Sequence, residues 1–117
     1  DIYTPGVERY EHMAQQARML PDAYQKAPVF TATGLADSEA GIIPQYNAIA
    51  ALCAADDHVE WHYYPGLTHS GAVNVAFADE LRFVTALRAG SRPVSNCKAL
   101  HAPGPLQAPD QHVPFNY

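Results

Sequence analysis

The chain has 117 residues, 48% of them apolar and 16% charged, which excludes a disordered polar chain and suffices for one domain with a modest core. Its net charge of −5 argues against nucleic acid as a partner. No apolar run reaches the length of a membrane span, about 18 residues.

Asp1 opens the chain with no visible leader, which suggests a processed product or a piece of a longer protein. The piece is the reading that the later residues favour. Thr4-Pro5 reads as a helix start, with Thr4 as cap and Pro5 in the first turn. Val7, Tyr10, Met13, Ala14, Ala17 and Leu20 recur at helical spacing, and Pro21 stops that helix. Residues 1–26 are therefore a helix and a connector.

Ala27 to Thr33 reads as the first strand. Its residues are small or β-branched with little alternation, which suits a parallel sheet covered on both faces. Gly34 ends it and leads into the turn Leu35-Ala36-Asp37-Ser38-Glu39. Pro44 is expected to open the next helix, with Tyr46, Ile49, Ala50 and Cys53 on its apolar face. Val59 to Tyr64 is the second strand, with Val59, Trp61 and Tyr63 on one side and His58, Glu60 and His62 on the other. Strand, helix and strand in this order make a right-handed βαβ unit. The loop Tyr64-Pro65-Gly66-Leu67-Thr68-His69-Ser70-Gly71 follows. The last helix is expected from about Val75 to Ala89, with Phe77, Leu81, Val84 and Leu87 on one face and Gly90 as its stop. From Lys98 onward four prolines and no periodic apolar pattern indicate an extended tail over residues 98–117.

Cys53 lies in the first helix of the βαβ unit. Cys97 lies in a polar segment, unlike a buried free thiol. A Cys53–Cys97 disulfide follows as the better reading, and with it a secreted or periplasmic location. The alternative is a pair of reduced thiols in a cytosolic protein.

Asp37 and His69 each follow a strand, where an open α/β sheet keeps its chemistry. A histidine takes and returns protons near neutral pH, and a carboxylate fixes its tautomer and stabilises the imidazolium. Asp37 and His69 are thus candidates for the acid and base of a Ser-Asp-His triad, with Glu39 as a second choice of acid. Either residue alone reads equally well as an ordinary turn carboxylate or a solvated loop histidine. His58, Glu60 and His62 share one strand face and could bind zinc, but a solvated polar face explains them as simply. No metal or cofactor is expected.

The runs Ala27-Pro28-Val29-Phe30 to Asp37, Leu52-Cys53, and Tyr64 to Gly71 resemble the C-terminal part of an α/β-hydrolase. More narrowly they are similar to the secretory lipase family. The resemblance covers about residues 27–97. It implies an α/β fold in which this chain is the C-terminal βαβα portion of a parallel sheet, with Asp37 as triad acid and His69 as triad base. A cysteine in the intervening helix paired with one after the final helix also fits a secreted member. Residues 1–26 would then be the end of a cap or excursion. The family's G-x-S-x-G elbow is missing. Ser38, Ser70, Ser91 and Ser95 lack its flanking glycines, so the nucleophile is expected upstream of Asp1. The expected function is ester hydrolysis by a lipase or carboxylesterase, with an ester or lipid substrate. The upstream part of the same protein would complete the sheet. A peptidase or acyltransferase on the same fold is one alternative, and a non-catalytic secreted interaction domain is the other.

Overall fold

The computed structural model describes residues 27–55, 58–92 and 94–117. The expected helix from Thr4 to Leu20 lies outside them. The elements are strand β1 (Val29–Gly34), helix α1 (Ile42–Ala54), strand β2 (Val59–Tyr64) and helix α2 (His69–Arg88), followed by a single 3₁₀ turn, Cys97–Ala99. β1 and β2 pair in parallel, from Val29 opposite Val59 to Gly34 opposite Tyr64. The described chain is therefore an α/β unit of βαβα order.

The β-branched and aromatic residues of both strands favour extended backbone. Alternation on β2 separates the two faces. Val59 and Trp61 are buried with Ile49 of α1, and Val29, Leu52, Cys53, Tyr63, Cys97 and Leu100 pack against them. The opposite face carries Phe30 and His62, whose rings meet at 5.4 Å, and Phe83 of α2 lies 5.6 Å from Phe30. Each face of the sheet is thus covered by one helix.

α1 begins at Ile42, with Pro44 inside its first turn rather than at its first position. The first turn tolerates proline because its N–H groups have no intrahelical partner. Gly41 caps it at φ 81°, a left-handed backbone that suits glycine.

α2 begins at His69, well before the expected Val75. Thr68 is its N-cap, and its side chain accepts a hydrogen bond from Gly71 N at 3.1 Å. The other end is a Schellman turn: Gly90, at φ 85°, donates to Leu87 O and Ser91 N donates to Ala86 O. The inward stripe also differs from expectation. Ala72, Ala76 and Phe83 face the sheet, while Phe77, Leu81 and Val84 are 63%, 55% and 48% exposed. Small side chains let the helix axis approach β1, and the bulkier stripe is turned outward.

The two edges of the sheet are treated differently. At β2, Asn96 acts as a one-residue strand. Asn96 N donates to Val59 O, its Oδ1 accepts from Trp61 N, and its Nδ2 donates to Trp61 O. The Trp61 indole N–H donates to Asn96 O at 3.0 Å. The Cys53–Cys97 disulfide, with Cα atoms 5.7 Å apart, ties the next residue to α1. At β1, Val29 N donates to His58 O, so in a parallel ladder Phe30 and Ala32 direct their peptide groups to the far side. Among the described residues no backbone group pairs with them there. None of the described helices is long and apolar enough to cross a membrane.

Beyond the 3₁₀ turn the described tail has no helix or strand, yet it is not loose. After Cys97 it runs back across the strand-end loops. Gln107 N donates to Leu35 O at 2.8 Å, and Asp110 N donates to Gly66 O at 2.8 Å.

Candidate active site

The strand-end loops are brought together by backbone. Leu35 N donates to Tyr64 O at 3.0 Å and Ala36 N donates to Leu67 O at 2.9 Å. Gly34 permits the contact: a Cβ there would stand 2.3 Å from Leu67 O and 2.8 Å from Thr68 O. A tight turn, Asp37 N to Gly34 O at 3.0 Å, then directs Asp37 inward.

Asp37 is 2% exposed, which a carboxylate tolerates only with partners. It has four. Oδ1 accepts from Glu39 N at 2.9 Å and Ala40 N at 3.0 Å, and Oδ2 accepts from Gln45 Nε2 at 3.0 Å and bonds His69 Nδ1 at 2.8 Å. Burial pushes the Asp37 carboxyl up, but the bond from His69 and those from Ala40, Glu39 and Gln45 outweigh it, leaving the carboxyl below its ordinary range. The hydrogen bond to Asp37 raises the His69 imidazole above its ordinary value, and the charges of Asp37 and Glu39 add to it.

A buried acceptor at Nδ1 fixes that nitrogen as the protonated one in the neutral imidazole, so Nε2 carries the lone pair. The His69 side chain is 49% exposed. It borders a pocket of about 150 Å³ whose apolar wall is Phe30, Ala32, Ala72 and Val73. The arrangement can take a proton at Nε2 and stabilise the resulting imidazolium through Asp37. Gln45 holds the acid from the first turns of α1, a role that its sequence position did not announce. Thr68 could have been recognised as a cap, but Gly71 three residues later reads as a helix breaker.

The remaining candidates fall elsewhere. Glu39 is exposed, and it contributes its amide and its charge rather than a carboxylate bond to His69. Among the described residues no serine hydroxyl bonds His69; Ser95 Oγ accepts from Cys97 N. Glu60 is taken by His62 at 3.0 Å and Arg82 at 2.8 Å, and His58 is exposed. Among the described residues no three His, Cys, Asp or Glu side chains are grouped to hold a metal. His101 packs edge-on against Trp61 and Tyr63, at 5.6 and 5.3 Å. The Tyr63 and Tyr64 hydroxyls donate to His101 O and to Asp79 Oδ2, both at 2.6 Å.

The two shifts give the pair a pH window. His69 holds its proton more tightly when folded, so its contribution is full below its ordinary 6.5 and is lost as pH rises through the higher folded value. Asp37 contributes above its ordinary 3.8, and that contribution is lost as pH falls through the lower folded value. The stability difference between the wild type and His69→Gln is expected to be largest between those two ordinary values and to shrink on both sides. Thermal melts across that range check this. A difference independent of pH would show that the pair is not ionic.

No protein-family model matches the chain, and no curated protein or solved structure matches it.

Proposed function

We propose that this chain supplies the acid, Asp37, and the base, His69, of a serine ester hydrolase, a lipase or carboxylesterase whose nucleophile lies upstream of Asp1. The observation that carries the reading is the 2.8 Å bond from His69 Nδ1 to a buried Asp37 that three other donors hold in place, with the half-exposed imidazole bordering a pocket that has one apolar wall. That is what a general base oriented by a carboxylate requires. The chain's resemblance to the C-terminal part of α/β-hydrolases of the secretory lipase kind agrees with it.

Two features of the unit support an upstream completion of the sheet. The Phe30 and Ala32 peptide groups face an edge unpaired among the described residues, and α2 turns Phe77, Leu81 and Val84 outward. Both are costly in isolation and are relieved by a further strand and its helix. The disulfide favours an oxidising compartment, hence a secreted or periplasmic enzyme. A non-catalytic secreted interaction domain would account for the outward apolar stripe. It leaves the four-fold bonded Asp37 and its exposed histidine without a purpose.

The test uses a fluorophosphonate probe and a short nitrophenyl ester. The complete protein is expected to be labelled on one serine upstream of Asp1 and to hydrolyse the ester. The 117-residue chain, checked for folding by circular dichroism, is expected to do neither, because among the described residues no serine hydroxyl bonds His69 and its sequence has no G-x-S-x-G elbow. Stoichiometric labelling of a serine within this chain would place the nucleophile here and overturn the upstream reading. A complete protein that neither labels nor hydrolyses would overturn the enzyme reading.

A further inference from the structure

Asn116 is the most heavily bonded side chain of the tail. Its Oδ1 accepts from Thr68 N at 2.7 Å, and its Nδ2 donates to Gly66 O at 2.8 Å and to Asp110 O at 2.9 Å. Both amide hydrogens and the carbonyl are therefore used. The surroundings are shaped to admit this side chain. A Cβ at Gly71 would stand 2.0 Å from Asn116 Oδ1, so glycine alone leaves room for it. Phe115, immediately before, adopts φ 59° and is the one non-glycine among the described residues with a left-handed backbone, a conformation that persists only where its surroundings impose it. Next in the chain, Tyr117 O accepts from Thr68 Oγ1 at 3.2 Å.

Gly66 and Thr68 lead directly into His69, and Thr68 is the N-cap of the helix that His69 opens. The Asp37–His69 bond needs both ends fixed. Asp37 is fixed by Glu39, Ala40 and Gln45. The start of α2 is held by the Thr68 cap on Gly71 N and by the bonds of Ala72 N to Thr68 O and of Ala36 N to Leu67 O, but Thr68 N itself is held by a residue 48 positions later.

We propose that Asn116 is a positioning residue for His69, holding the start of α2 so that the imidazole stays against Asp37. The proposal rests on the reading of these two residues as acid and base. Loosening a catalytic group by a fraction of an ångström lowers the rate without changing which substrate binds. The tail is then part of the site rather than an appendage to it.

The experiment combines kinetics of the complete protein with NMR titration of its ¹⁵N-labelled histidines. Asn116→Ala is expected to lower kcat about tenfold with KM near the wild-type value. The His69 midpoint should move down toward its ordinary 6.5, as the bond to Asp37 is made less of the time. Gly71→Ala puts a methyl group where Oδ1 lies and should reproduce both changes without altering a tail residue. In the double variant the obstructing oxygen is gone, and the nearest atom that alanine retains at position 116 is Cβ at 3.3 Å. Its losses should therefore equal those of Asn116→Ala alone. An unchanged His69 midpoint in Asn116→Ala, with only the melting temperature lowered, would make Asn116 a plain tail anchor and overturn the proposal. Additive losses in the double variant would do the same. If Asn116→Ala fails to fold, the His69 midpoint of Gly71→Ala decides. The titration needs no turnover, so a protein that hydrolyses no ester sinks the proposed function while the midpoints still decide the role of Asn116.

Discussion

Replacing His69 with alanine is expected to lower kcat/KM of the complete protein by about four orders of magnitude, because triad members act as a unit. Asp37→Asn should be nearly as severe, for a reason visible in the bonding. Oδ1 of Asp37 accepts two amides, from Glu39 and Ala40. The asparagine carbonyl must take that position, which turns its NH₂ toward Gln45 and His69. Two donors then face each other at Nδ1, and the imidazole shifts its proton to Nε2, where it can no longer act as a base. Neither variant should unfold the chain. His69 is half exposed, and the asparagine fits the same space. Steady-state kinetics with circular dichroism on both variants checks this. A folded His69→Ala protein with near wild-type activity would remove the hydrolase reading.

The second large effect is on stability. Cys53 and Cys97 are separated by 44 residues and are bonded, and a loop of that length is worth about 4 kcal/mol in the chain-entropy model. Domains of this size are stable by only about 5–15 kcal/mol, so Cys53→Ser or reduction should remove a large share of that. The loss should exceed the loop term, because Cys97 follows Asn96 and slack there frees the β2 edge and the Trp61 indole partner. Urea titration with and without reductant measures it. Mass spectrometry of an unreduced digest should recover the two cysteine peptides joined. Free alkylation of both cysteines in native material would contradict the bond and, with it, the inference about compartment.

How much of this was legible in the sequence depends on where each element's partners lie. β1, β2 and most of α1 could be read because alternation and helical spacing are local signals, and Gly90 could be read as a stop because a Schellman turn needs glycine at that place. The disulfide was legible from the polar surroundings of Cys97. The start of α2 was not. Pro65, Gly66 and Gly71 suggest a loop, yet Gly71 sits in a first helical turn because Asn116 lies against it, and nothing near residue 71 signals that. Nor could periodicity choose between the two stripes of α2. Phe77, Leu81 and Val84 are the more apolar, whereas Ala72 and Ala76 allow the closer approach to β1. The pairing of Asp37 with His69 was suggested by their places after successive strands. The bonds that immobilise the pair, from Gln45 and through Asn116, carry no sequence pattern at all. The tail has no periodicity because it bonds to loop carbonyls and amides rather than burying a face.

The reach of the tail also orders events in time. Gly66 bonds to Asn116, 50 residues further along the chain, so β1, α1, β2 and α2 leave the ribosome before the residue proposed to hold the histidine does. Contacts of such long sequence separation are also the slowest to close. On the proposed role of Asn116, the Asp37–His69 pair therefore becomes rigid only once the tail has docked. On the proposed function and export route, a chain threaded through a membrane in an unfolded state would gain a rigid histidine only on the far side, which would spare the producing cell's own esters.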